Sequence, residues 1–158
     1  MKPGFHKSID RSLDSKGRLM LPQEYRDIIC AAAGSGGFTL VVYGACIVVY
    51  PTQEWEALTG QMEQLRNIKQ RTRHFRSQLV GRAEELELDA QGRVRISQAL
   101  MRYAGLSKDV VLVGLGSRFE IWDRQRFEKG IKLDAAEDEA ALDLVVQELA
   151  QSGIDFSL

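Results

Sequence analysis

A repeat constrains this chain more than any other feature. Leu13-Asp14-Ser15-Lys16-Gly17-Arg18 returns 75 positions later as Leu88-Asp89-Ala90-Gln91-Gly92-Arg93. Each copy is followed by an alternating run, Leu19-Met20-Leu21 in the first and Val94-Arg95-Ile96 in the second. Such alternation suits a half-buried strand. The Asp at the start and the Gly at the end of each turn are turn chemistry, with Gly supplying a positive φ. Pro22 then opens a helix in the first copy, and Ser97 can cap one in the second. Tyr25, Ile28, Ile29 and Ala32 give the first helix one apolar face before Gly34-Ser35-Gly36-Gly37 ends it. Leu100, Tyr103 and Ala104 do the same in the second, and Gly105 stops it.

A hairpin follows in both copies. Phe38–Tyr43 turns at Gly44-Ala45 and returns as Ile47–Tyr50. Val110–Val113 turns at Gly114–Ser117 and returns as Phe119–Trp122. The offset here falls to 72, because the loop from helix to hairpin is three residues shorter in the second copy. Each unit alone is too small to bury its apolar face, so the two must close on one another. The expected fold class is α+β, a pseudo-twofold β-barrel of two tandem repeats with packed helices. The expected boundaries are repeat one at 7–53, a connecting helix at 54–81, repeat two at 82–125 and an acidic C-terminal helix and tail at 126–158.

The connecting segment reads as one long helix from about Thr52 to Val80. Leu58, Met62, Leu65, Ile68, Phe75 and Leu79 form a stripe suited to packing on the barrel or on a neighbouring subunit. From Gln64 to Ala83 there is no acid, while Arg66, Lys69, Arg71, Arg73, Arg76 and Arg82 fall inside. Those bases suit either a neighbour or phosphates. Residues 124–150 read as helical, with Ala141, Leu142, Val145, Val146 and Leu149 on one face, while 151–158 read as a loose end.

The net charge of −1 conceals a polarity. Residues 133–158 hold seven acids and no Lys or Arg, which leaves 15 acids against 21 bases in the rest. An acidic tail on a basic body occurs in nucleic-acid binders, and equally as a plain solvated helix. No apolar run approaches the roughly 20 residues that span a bilayer. Cys30 and Cys46 have apolar sequence neighbours and read as buried thiols. These features point to the cytoplasm and away from a membrane partner.

A catalytic reading finds little support. His6 and His74 lack neighbours at metal-ligand spacing. Gly34-x-Gly36-Gly37 lies between a helix and a strand, the wrong order for a dinucleotide fingerprint. No enzyme activity, cofactor, metal or small-molecule substrate is expected. Asp14 and Asp89 each precede an Arg by four positions across a tight turn. A charge-assisted hydrogen bond bracing the turn is the reading we adopt. Lys16 and Arg18 would then stand on a rigid hairpin, where Arg can contact guanine bidentately and Lys can contact phosphate. The second copy offers Arg93 and Arg95, with Gln91 in place of Lys16. The competing reading is that Arg18 and Arg93 are structural only.

These residues resemble a known family, the MraZ transcriptional regulators, relatives of the SpoVT/AbrB-type DNA-binding proteins. The resemblance rests on the two Leu-Asp-x-x-Gly-Arg motifs, on Tyr50-Pro51-x-x-x-Trp55, and on Ala104-Gly105-Leu106 followed by Val110-Val111-Leu112-Val113-Gly114. Phe119-Glu120-Ile121-Trp122-Asp123 completes it. The chain departs from the family's usual Pro at Ser97. The resemblance implies tandem SpoVT/AbrB-type repeats in one barrel, assembled into a ring of several subunits. It further implies nucleoid association and binding to short, G-rich direct repeats in the promoter of a division and cell-wall gene cluster. The output implied is repression, although activation is known in the family. The DNA-binding candidates are Lys7, Arg11, Asp14, Lys16, Gly17, Arg18, Asp89, Gly92, Arg93 and Arg95, with contact placed mainly on the first copy and the second left partly structural. The alternative is a non-catalytic interaction module of the same fold, antitoxin-like or a scaffold.

Overall fold

The structure is a computed structural model that describes residues 4–33, 37–130 and 139–154. The turn expected at 34–36, the helical pattern over 131–138 with its acids and the end at 155–158 lie outside the described residues. Residues 1–124 form one compact unit and 125–158 a second.

The first unit is built in the repeated order that the sequence predicts. Repeat one contributes β1 (Ser8–Ser12), β2 (Arg18–Met20), α1 (Gln23–Ala33), β3 (Gly37–Tyr43) and β4 (Cys46–Pro51). Next come α2 (Thr52–Glu63) and α3 (Gln70–Gly81). Repeat two gives β5 (Glu84–Glu87), β6 (Arg93–Arg95), α4 (Gln98–Ala104), β7 (Asp109–Gly114) and β8 (Phe119–Asp123). The remaining helices are α5 (Arg124–Glu128) and α6 (Glu139–Gln151).

Six strands form one antiparallel sheet in the order β1-β7-β8-β4-β3-β5, and β2 pairs with β6 in a separate two-stranded ribbon. The order is a palindrome under exchange of the repeats. Its registers obey the same exchange. At the centre of the sheet Val48 lies opposite Glu120, positions 72 apart, and in the ribbon Leu19 lies opposite Val94, positions 75 apart. Each edge strand crosses to the other repeat: β1 pairs with β7 and β5 with β3. The expected α+β class is therefore observed, as an antiparallel sheet with a two-stranded ribbon beside it. The ribbon is separate because β2 and β6, three residues each, direct their ladder hydrogen bonds at one another.

The strands alternate, so the sheet has two apolar faces. On one face Phe38, Leu40, Ile47, Val49, Val110, Leu112, Phe119 and Ile121 are buried with Leu19 and Val94 from the ribbon and with Tyr25, Ile29, Leu100 and Ala104 from α1 and α4. Phe5, Tyr25 and Phe119 meet there as a ring cluster with centroids 4.9–5.0 Å apart. On the other face Val41, Cys46 and Val48 pack against Trp55 of α2 and Leu79 of α3. The ribbon and the α2–α3 layer thus lie on opposite sides of the sheet.

Local devices follow the sequence closely. Pro22 O accepts from the backbone N–H groups of Tyr25 and Arg26 and opens α1. Ser97 Oγ accepts from Leu100 N at 3.2 Å and caps α4, and Gly105 ends that helix at φ 66°. Two expectations are corrected. The single connecting helix is two helices, broken over Gln64–Lys69, where Asn67 takes a φ of 54°. Asn adopts the left-handed region more readily than most residues, so the break needs no Gly or Pro. Cys30 is exposed, although Cys46 is buried as expected. Ile29 and Tyr25 take the inward side of α1, and one residue further rotates Cys30 by about 100° off it.

Removing the Phe119 ring by Phe119→Ala should cost about 3–5 kcal/mol, because it leaves a cavity at the aromatic cluster. Urea denaturation reads this directly, and a loss below about 1 kcal/mol would show that the cluster is not the centre of the core.

Candidate nucleic-acid interface

Both motifs are hairpin turns feeding the ribbon. Asp14 N–H donates to Arg18 O at 3.0 Å, and Gly17 N–H donates to Asp14 O at 3.1 Å. The Asp14 carboxylate completes the turn from inside. Its Oδ1 accepts from Lys16 N and Arg18 N, both at 2.9 Å, and its Oδ2 accepts from Arg18 Nε at 2.6 Å. The second copy repeats this bond for bond. Asp89 Oδ1 accepts from Gln91 N and Arg93 N at 2.9 Å, and Oδ2 from Arg93 Nε at 2.7 Å. Gly17 and Gly92 take φ 76° and 80°, the left-handed conformation that lets each turn close.

The brace fixes the guanidinium by its Nε edge. Among the described residues, the two Nη atoms of Arg18 carry no hydrogen bond. In the second copy Arg93 Nη2 donates to Gln91 Oε1 at 3.2 Å, so part of that group is already engaged. The two turns therefore differ at the position that is Lys16 in one and Gln91 in the other.

Pairing of the motifs with one another creates the surface. Arg18 lies opposite Arg95, Leu19 opposite Val94, and Met20 opposite Arg93. Leu19 and Val94 point inward and are fully buried, so Arg18, Met20, Arg93 and Arg95 share the outer face. Directly opposed like charges cost roughly 0.2–1 kcal/mol, whereas full burial of Leu19 and Val94 gains about 1.5–3 kcal/mol each. Burial wins, and the arginines are held side by side on the ribbon.

Each turn borders a cleft against the opposite repeat. The first cleft, about 920 Å³, includes Lys16, Arg95 and Arg102 around the braced Asp14. The second, about 390 Å³, includes Arg26 but also Asp27, Glu87 and Asp89. The first is basic and the second is not. Arg26 and Met101 stand at equivalent positions 75 apart, and each packs over the glycine of the other repeat's turn, Arg26 on Gly92 and Met101 on Gly17. Sequence reading missed Arg26, Met101 and Arg102, and the repeat offset was the signal that would have found the first two.

Of the remaining candidates, Arg11 is engaged structurally, with Nε donating to Met20 O at 3.3 Å and Nη1 to Asp10 O. This ties β1 to the ribbon. Lys7 is exposed, and its carbonyl accepts from Gly114 N and from the Tyr25 hydroxyl. It stands just before β1, and among the described residues its side chain makes no hydrogen bond to the motifs.

The electrostatics agree with the brace. The Asp14 carboxyl is lowered from 3.8 to about 2. The Arg18 N–H bond is the largest cause, the Arg18 side chain and the Lys16 N–H add to it, and desolvation opposes it. Asp89 is lowered for the same reasons, led by the Arg93 N–H.

Comparison with known proteins bears on this geometry. The family model described as "MraZ protein, putative antitoxin-like" matches residues 6–77 and 79–145. The chain belongs to the MraZ family. It is 48% identical over 146 residues to the transcriptional regulator MraZ of Nitratidesulfovibrio vulgaris strain Hildenborough, covering 92% of this chain and 93% of that one. It is 36% identical over 148 residues to the transcriptional regulator MraZ of Escherichia coli K12, covering 93% and 95%. The MraZ proteins of these organisms are named as regulators of transcription. No described helix is long and apolar enough to cross a membrane.

The Asp14 brace makes a pH prediction. A folded pKa below the ordinary value means the contribution is present above about pH 4 and is lost as pH falls from about 4 toward 2. A carboxyl-carbon titration by NMR should place Asp14 near 2, with Arg18→Ala raising the midpoint. A midpoint at the ordinary carboxylate value in the parent chain would show that the turn is not braced.

Proposed function

We propose that this MraZ-family chain is a sequence-specific DNA-binding regulator of transcription that contacts the duplex through the β2–β6 ribbon. One observation carries the reading: the two motifs form a single two-stranded ribbon whose outer face holds Arg18, Arg93 and Arg95 together against their mutual repulsion. A major groove admits a two-stranded ribbon, and arginine at a fixed orientation can read guanine O6 and N7. Arg18 contributes base contact through its open Nη edge. Lys16 and Arg102, on the rim of the basic cleft, contact phosphates. Asp14, Gly17, Asp89 and Gly92 shape the turns, and Arg93 has both a bracing and a contacting role.

We further propose that several subunits form a ring, that the ring engages short G-rich direct repeats in the promoter of its own division and cell-wall gene cluster, and that the output is repression at the nucleoid. The palindromic strand order supports tandem repeats of the SpoVT/AbrB type. A second reading, a non-catalytic interaction module, draws on the words "antitoxin-like" in the family description. It gives no reason for the arginines to be opposed on one face.

A mobility-shift titration on DNA upstream of the gene tests the proposal, with a scrambled site as control. Arg18→Ala should keep the fold and lose most discrimination between the two DNAs, about 1–3 kcal/mol for each base contact removed. Lys16→Ala should weaken both complexes alike and reduce the salt dependence by about one phosphate. Unchanged discrimination in folded Arg18→Ala would remove the ribbon from the interface. Affinity should also rise steeply with repeat number, because several sites on a ring bind together, and equal affinity for one repeat and for four would remove the ring.

A further inference from the structure

We infer that the groove between α2 and α3 is the surface on which a second copy of this chain docks its acidic helix α6. The inference rests on the multi-subunit assembly proposed above and names the surfaces that build it.

Helix α3 is unusual as an isolated element. It runs Gln70–Gly81, only Leu79 among its residues is buried, and it has no acid in its first turn. Lys69, Arg71 and Arg73 stand at its N-terminal end, where the helix dipole disfavours positive charge. No Asp or Glu occurs from Gln64 to Ala83, so the helix has no internal i,i+4 ion pairs. A partner carrying negative charge would relieve this.

The surface is also apolar. The groove, about 650 Å³, is lined by Met62, Leu65, Arg66, Arg76 and Val80 among others, with Glu63 the one acid against two arginines. Leu65 and Val80 are 47% and 44% exposed. Arg76 is occupied, with Nη1 donating to Met62 O at 3.2 Å across the two helices. Arg73 stands one turn before it on the same side of α3, and Arg66 stands at the groove itself. The occupant must therefore bring both apolar side chains and acids. A phosphate backbone supplies only the second, and it would leave Leu65 and Val80 wet.

Helix α6 has the complementary composition. It spans Glu139–Gln151, contains Asp143 and Glu148, and has no basic residue. Leu144, Val145 and Val146 are exposed, Leu144 by 66%. An amphipathic helix laid into an apolar groove is a common mode of recognition. Because the α2–α3 layer lies on the side of the sheet away from the ribbon, a copy docked there leaves the arginine face open. Groove and helix are different surfaces, so the contact can repeat from copy to copy, and such a repeat forms a ring when its rotation closes.

Charge reversal in the full-length chain without DNA tests this. The variants are Arg66→Glu with Arg73→Glu, Asp143→Lys with Glu148→Lys, and all four together, measured by sedimentation velocity across a concentration series, with circular dichroism to confirm folding. Each pair alone should raise the dissociation constant of the assembly by about tenfold or more, and the four together should restore it. An oligomeric parent indifferent to either pair would overturn the docking and leave the DNA reading intact. So would two damaging pairs that do not rescue one another. Reversal at Arg66 and Arg73 that lowers DNA affinity while sparing association would assign the surface to phosphates and overturn the docking. A parent monomeric at every concentration would sink the ring and this inference together, while the Arg18→Ala result would still stand or fall on its own.

Discussion

The structure depends on the antiparallel meeting of Leu19 and Val94. These two residues sit where the exchange axis of the repeats crosses the ribbon, and both are fully buried. Their burial draws two turns from distant parts of the sequence into register. Without that pairing the motifs would be two separate surface loops, each with one braced arginine. With it they become one face. The same pairing takes the ladder hydrogen bonds of β2 and β6 and leaves β1 and β5 as the sheet's terminal strands.

The Asp-to-Arg brace acts at a smaller scale and in a different currency. Each carboxylate accepts two backbone N–H groups and one Nε, which fixes the turn and the guanidinium together. Both groups are partly exposed, so the gain in stability is modest. The gain in orientation is larger, since a free arginine side chain samples many rotamers and would lose them on binding.

Much of this was legible in the sequence. The repeat predicted the order of elements, the braced turns, the Ser97 cap and the Gly105 stop, because each depends on residues a few positions apart. The pairing of β2 with β6 was not legible. Periodicity identifies which side of a strand is buried but not which strand lies beside it, so the sequence suggested contact mainly by the first motif and left the second partly structural. The helix break at Asn67 was hidden for another reason: the apolar stripe continues through it, and a single Asn with no Gly or Pro beside it is a weak mark of a left-handed φ. Cys30 misled because Ile29 beside it faces inward while it does not. The asymmetry between the motifs was readable at Lys16 and Gln91. Its extension to Arg102, Asp27 and Glu87 required the clefts.

That asymmetry has a consequence for direction. A surface with true twofold symmetry looks the same when rotated by half a turn, so it cannot distinguish a DNA site from its inverted copy. This scaffold is twofold in its backbone, yet it carries Lys16 against Gln91 and Met101 against Arg26 at matched positions. Its two ends are chemically different. A single subunit therefore has a head and a tail along any duplex that it meets, and a row of such subunits can all point the same way.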